Sequence, residues 1–359
     1  MKTPRHSLLC AGALAALFGL AAPAQAAPVV KLKTISTAFS NPIGIDYYEP
    51  TNELILSSHY PSGVPSNLER VAANGAHSIY SSLAGATDEL KIATVRSGYA
   101  TGFAVGTTFT GNGADGQIVK VDPGGGTVAN PWVTLPGGGH GVFRGSLYVD
   151  RTGVYGGDLI AVTTAGEVWR INAAGTPTQI ADVNVHLEGL ATVPNDVARW
   201  GAIAGCIIAG AEDQGLMHAW CPNATGGYSH STYALGVAIE DIDFIDGGNF
   251  FGVNYGTGQL LGADASNFAG MEGDILLTQE FSGGGASGLF RMTWTGSALA
   301  VEQFGLDLTD VRFGFGQWEH VTFANAGVVE IPPVTRGLPE PAGLVLAALL
   351  ALAGARRRR

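Results

Sequence analysis

Charge is scarce in this 359-residue sequence: Asp, Glu, Lys and Arg make up 14% of it, against a usual quarter. The balance is acidic, with 19 basic and 30 acidic residues and a formal net charge of −11. Such a surface repels nucleic acid and anionic lipid and gives a phosphate-binding role no electrostatic support. Cysteine is limited to Cys10, Cys206 and Cys221, and none of them forms a CxxC pair. The chain also lacks a Gly-x-Ser-x-Gly elbow, a His-Glu-x-x-His helix motif and a P-loop, which removes the common signatures of serine hydrolases, zincins and nucleotide-binding enzymes. No segment between the two ends keeps a 3.6-residue apolar period over twelve positions, so amphipathic helices are not expected there.

What is present at the two ends is an address. Lys2 and Arg5 precede an apolar run from Leu8 to Ala22, and Ala24-Gln25-Ala26 supplies the small-x-small pattern of a signal-peptidase site. The run is about 15 residues long, where a membrane span needs about 20. Residues 1–26 therefore read as a secretory signal peptide. At the other end stand Pro339-Glu340-Pro341, an apolar stretch from Ala342 to Ala355, and Arg356, Arg357, Arg358 and Arg359. The arginine cluster fits the positive-inside rule.

This order of Pro-Glu-Pro, short apolar helix and terminal arginines resembles the PEP-CTERM sorting signal. The resemblance covers about 21 residues. It implies that the tail holds the protein transiently in the inner membrane, with Arg356 to Arg359 as the stop, until the membrane protease exosortase processes it at Pro339-Glu340-Pro341. Residues 335–359 are then a sorting and membrane-anchor segment. The expected destination is the cell surface or extracellular matrix of a biofilm-forming bacterium.

Between the signals, residues 27–334 form the domain that does the work. The region from 27 to 335 carries 12 basic and 29 acidic residues, a net charge of about −17. Its two cysteines suggest one disulfide in an exported chain. If Asp213 and Gln214 turn a hairpin, Cys206 and Cys221 face each other across it, which suits a bridge; a pair of reduced, buried thiols is the other reading.

Glycine, at 53 residues, is about twice its usual share and favours short strands joined by tight turns. A repeat sharpens this. Leu68-Glu69-Arg70, Ile118-Val119-Lys120, Val168-Trp169-Arg170 and Leu216-Met217-His218 recur every 48 to 50 positions. Leu260-Leu261-Gly262 follows 44 later and Leu289-Phe290-Arg291 only 29 after that. Repeats of this length, each with about four strands, predict an all-β propeller of six blades, or seven if one is short. Strand Val29 to Ile35 is expected to close the ring against Val321 to Phe323 and Val328 to Ile331. Arg70, Lys120, Arg170 and Arg291 are expected to pair with strand carboxylates, and most of the six tryptophans to pack between blades.

In repeat length and strand pattern the domain resembles six-bladed propellers of the NHL and lactonase-like type. Glu188-Gly189-Leu190, Glu240-Asp241-Ile242 and Glu319-His320-Val321 share the form Glu, variable, aliphatic, and are placed where innermost strands begin at the axial tunnel. Three carboxylates there would repel one another unless a hard cation such as Ca²⁺ sat among them. The resemblance implies that Glu188, Glu240 and Glu319 are the metal-binding positions, with His186, Asp46 and Asp241 nearby. The usual Asn partners are not found, and glutamates that simply line a wet tunnel are the competing reading. No catalytic residue is assigned. The sequence thus points to a non-enzymatic, exosortase-processed surface propeller that binds an exopolysaccharide or a matrix protein. The alternative is a secreted metal-dependent lactonase or esterase, or a quinone-dependent sugar dehydrogenase.

Overall fold

The computed structural model describes residues 27–60, 66–72, 74–126, 128–144, 146–281 and 286–325. The expected signal peptide, the expected sorting tail and the expected closing strand at Val328 to Ile331 lie outside the described residues. Six sheets are arranged in a ring, five of four strands and one of five. Their innermost strands are Ile45–Tyr48, Ala93–Thr94, Ser146–Val149, Glu188–Thr192, Ile239–Phe244 and Gln317–Ala324, each in contact with the next and the last with the first. The protein is a six-bladed β-propeller. Among the described residues no helix is long and apolar enough to cross a membrane.

The radial gradient follows from burial. Innermost strands are covered on both faces, as Ile45–Tyr48 and Glu188–Thr192 are along their whole length, and so read as continuous runs. Outermost strands such as Pro177–Asp182 and Tyr228–Ala234 are mostly exposed or half-buried. The cores lie between blades, where one twisted sheet covers the face of the next. Trp169, Trp200, Trp220 and Trp318 are buried in these layers.

All six copies of the sequence repeat are the third strand of a blade. Its basic residue ties that strand to the start of the second: Arg70 to Glu53 (3.2 Å), Arg170 to Asp158 (2.6 Å) and Arg291 to Asp274 (2.6 Å), while Lys120 pairs with Asp122 on its own strand's exit (3.0 Å). The irregular last intervals have a topological cause. After the innermost strand of blade 5, Ile239–Phe244, the chain crosses to blade 6 and lays down Asn249–Tyr255 and Gln259–Ala263. It then returns to complete blade 5 with Ile275–Gln279, Gly288–Trp294 and Leu299–Gln303. Leu260 thus belongs to blade 6 and Leu289 to blade 5, in inverted chain order.

Closure also differs from expectation. Strand Val29–Ser36 does not pair with Val321 to Phe323. It is the fourth strand of blade 6, antiparallel to Gln259–Ala263 and parallel to Gly305–Asp310; the innermost place is held by Gln317–Ala324 against Asn249–Tyr255. The cysteine hairpin keeps its expected register: Ile207 opposes Trp220 and Ala211 opposes Leu216. Cys206 and Cys221 are joined, with Cα atoms 4.1 Å apart.

Candidate functional site

The innermost strands all carry their first residues to one end of the axis, and there three of them bulge. Glu188 opposes Gly210 while Leu190 opposes Ala209, Ile239 opposes Gln279 while Asp241 opposes Thr278, and Trp318 opposes Asn254 while Val321 opposes Gly252. In each case an extra residue is left unpaired, and a bulge of this kind re-aims side chains and twists the strand. The Glu, variable, aliphatic pattern is the trace of these bulges. Gly189 has φ +58°, and a Cβ there would lie 2.9 Å from Ile239, so the first bulge requires glycine.

Of the three expected glutamates, Glu240 is shared by two carboxylate groups, one holding Glu188 and the other Glu319, and a residue that sequence reasoning missed lies among them. Carboxylate oxygens of Glu240, Glu280 and Glu319 lie within 4.8 Å of one another, as do those of Glu188, Glu212 and Glu240. Lys91, fully buried, reaches in from blade 2, hydrogen-bonds Glu240 and stands 3.7 Å from Glu319 Oε2. Gly44 makes room for it, since a Cβ there would meet the Leu90 carbonyl at 2.2 Å and Lys91 Cα at 3.0 Å. Lys91 occupies in blade 2 the place that the glutamates take in blades 4, 5 and 6, and a lone Lys in an apolar stretch, Leu90-Lys91-Ile92-Ala93, was the available signal.

Charge at this mouth is unbalanced. Burial works against the Lys91 ammonium, but Glu319, Glu188, Glu89 and Glu280 outweigh it and hold its pKa above the usual lysine value. Burial lifts Glu319 well above the carboxylate range, Lys91 pulling back and Glu280 and Glu89 adding to the rise. Glu280 and Glu89 are also raised, first by burial. At the rim His186 Nε2 lies 3.0 Å from Glu188, with its pKa raised by that hydrogen bond. Arg144 pairs with Asp88 at 2.7 Å and Glu89 at 3.5 Å. Tyr60 and Tyr255 have ring centroids 6.4 Å apart and lie within electrostatic reach of Glu89, and the exposed Phe281 follows Glu280 in the chain.

Below the mouth Ile45, Ile92, Leu147, Leu190, Ile242 and Val321, one from each blade, form an apolar collar and line a cavity together with Asp46, Arg151, Asp241, Asp243 and His320. Beyond the collar is a second polar layer, where the expected neighbour Asp46 sits. Burial would raise Asp46, but Arg96 and Arg151 outweigh it and hold its pKa below the usual value. Thr94 N–H donates to it at 2.7 Å and Thr322 Oγ1 at 3.2 Å. Asp241 and Asp243 face the same cavity and are pushed up by burial to about 7 and about 6. His320, 3.9 Å from Asp241, is held neutral by burial. Asp46 and Asp241 thus line the axial cavity, with Asp241 within electrostatic reach of Lys91.

Fold and site together define a six-bladed β-propeller with a cluster of glutamates around Lys91 at one end of its axis. No family model matches the chain, and no curated protein matches it. Among solved structures it is similar to a gluconolactonase from Xanthomonas campestris (14% identity, TM-score 0.45, covering 77% of this chain and 91% of that one). It is also similar to a protein assigned as a glucose dehydrogenase from Thermus thermophilus (11%, TM-score 0.47, 87% and 97%) and to a chain of a nidogen/laminin complex (11%, TM-score 0.46, 79% and 84%).

Proposed function

We propose that this protein is an exported, exosortase-processed surface or matrix propeller that binds, without chemistry, a ligand presenting cationic groups to its acidic mouth. A matrix polysaccharide carrying amino groups or a basic matrix protein fits this description. The observation that carries the reading is Lys91. An ion held by Glu240, Glu280 and Glu319 would lie beside an ammonium already bonded to the same carboxylates. A divalent cation 4 Å from a lysine is repelled by about 8 kcal/mol at an effective dielectric of 20. Lys91 thus competes with a metal ion for Glu240 and Glu319, and no hydrolytic or redox step is derived through one. The excess of carboxylates over cations at the rim, with Tyr60, Tyr255 and Phe281 nearby, suits cationic groups and ring faces.

The test is calorimetry of the purified protein with glucosamine oligomers, neutral glucose oligomers and Ca²⁺ in turn. Binding of the amino-sugar series alone, weakened by Glu280→Gln and by Phe281→Ala, is the expected result. Micromolar Ca²⁺ binding by the wild type would overturn the reading and restore the metal-dependent lactonase or esterase, for which the close approach of Glu240, Glu280 and Glu319 is the supporting feature.

A further inference from the structure

We propose that the wedge between blades 3 and 4 is a transition-metal site whose protein ligands are His218 and His230. Neither residue belongs to the axial site. Both lie on one face of blade 4, because Trp220 opposes His230 and His218 opposes Thr232 across the strands Leu216–Pro222 and Tyr228–Ala234, which makes the two histidines diagonal neighbours. His218 Nδ1 stands 3.1 Å from His230 Nε2. Two imidazole nitrogens bonded to one ion at about 2.1 Å, with an angle between square and tetrahedral, are about 3.0 to 3.4 Å apart. The pair is thus already set at the spacing a shared ion requires.

The surroundings agree with a shared ion. His230 lines a groove of about 550 Å³ together with Thr178, Gln179 and Asp182 of blade 3, from which water or another oxygen donor can complete the coordination. Nitrogen donors select Cu²⁺ and Zn²⁺ over Ca²⁺ and Mg²⁺, with Cu²⁺ tightest.

The site carries its own reporter, since the Trp220 ring lies 5.2 Å from His230 and within 8° of parallel. Titration of the purified protein with Cu²⁺, followed by tryptophan emission, is expected to show saturable quenching. Trp220→Phe should lose that component, Zn²⁺ should compete with Cu²⁺ and Ca²⁺ should not. His230 is exposed, so His230→Ala is expected to fold and to weaken the apparent affinity by at least about tenfold; an unchanged melting temperature without metal checks the folding. Equal quenching in the wild type and His230→Ala, or none at millimolar Cu²⁺, overturns the proposal. Should His230→Ala melt early, His230→Gln, which keeps a hydrogen-bonding partner for His218, replaces it in the same comparison.

Discussion

Replacing Lys91 by methionine removes one charge from the centre of the glutamate ring while keeping most of the side chain's volume. The ammonium is fully buried and touches Glu240 and Glu319, and removing one partner of such a pair costs about 3 to 5 kcal/mol because the other charges stay buried. For a domain of this size each kcal/mol moves the melting temperature by about 2 °C, so Lys91→Met should melt roughly 6 to 10 °C lower. The loss should shrink in acid, where Glu319 and Glu280, already raised, take up protons. The variant also vacates the place of a cation among five carboxylates. Ca²⁺ should then restore stability, by about 2.7 kcal/mol at a hundredfold excess over the dissociation constant, and should leave the wild type unmoved. Thermal melts of both proteins with and without Ca²⁺ decide the matter. A variant as stable as the wild type, or a wild type that gains as much from Ca²⁺, refutes the idea that Lys91 is the resident cation of the ring.

Asp241 and Asp243 have pKa values raised to about 7 and about 6 from about 3.9 in an unfolded chain. The folded protein therefore binds more protons between those limits, and the contribution of these groups to stability falls as pH rises from about 4 to 7. The buried His320 acts oppositely below about pH 6.5, so the difference between Asp241→Asn and wild type is the readout: urea midpoints should move in the variant's favour from pH 5 to pH 8, and a constant difference would exclude a raised Asp241. Cys221→Ser opens a loop of 15 residues and should cost about 3 kcal/mol in chemical denaturation, with dithiothreitol reproducing the loss in the wild type.

The class of fold was legible because each blade writes its third strand in the same way, and the reason is visible in the ties of Arg70, Arg170 and Arg291 to second-strand carboxylates. The order of the last two blades was not, since a repeat interval records chain length and not which sheet a strand joins. The interval of 29 between Leu260 and Leu289 was the mark of the crossing. At the mouth the three glutamates could be found because a bulge imposes a local pattern. Lys91 could not, as it enters from another blade through a contact between residues 149 positions apart. The inward glutamates had implied a missing positive charge, and the chain supplies it from within. Cys206 and Cys221 were the easiest case, because a hairpin's register follows from its own turn.

The crossing between blades 5 and 6 has a mechanical consequence. In a ring closed by one strand, the seam opens when that strand leaves its neighbours. Here blade 6 is built from four separated stretches, Val29–Ser36, Asn249–Ala263, Gly305–Asp310 and Gln317–Ala324, and blade 5 from the pieces between them. Neither can complete its sheet before the other has begun, and peeling off the N-terminal strand still leaves blade 6 tied into blade 5 by three covalent crossings, after Phe244, Ala263 and Gln303. Blades 5 and 6 should accordingly open as one cooperative unit. In native-state hydrogen exchange, amides of Ile275–Gln279 and Asn249–Tyr255 should merge onto one opening free energy as denaturant rises, while the second strand of blade 2, Thr108–Gly111, is free to follow another. Independent exchange of those two strands, with blade 6 opening well before blade 5, would show that the interleaving shapes the topology without coupling the sheets.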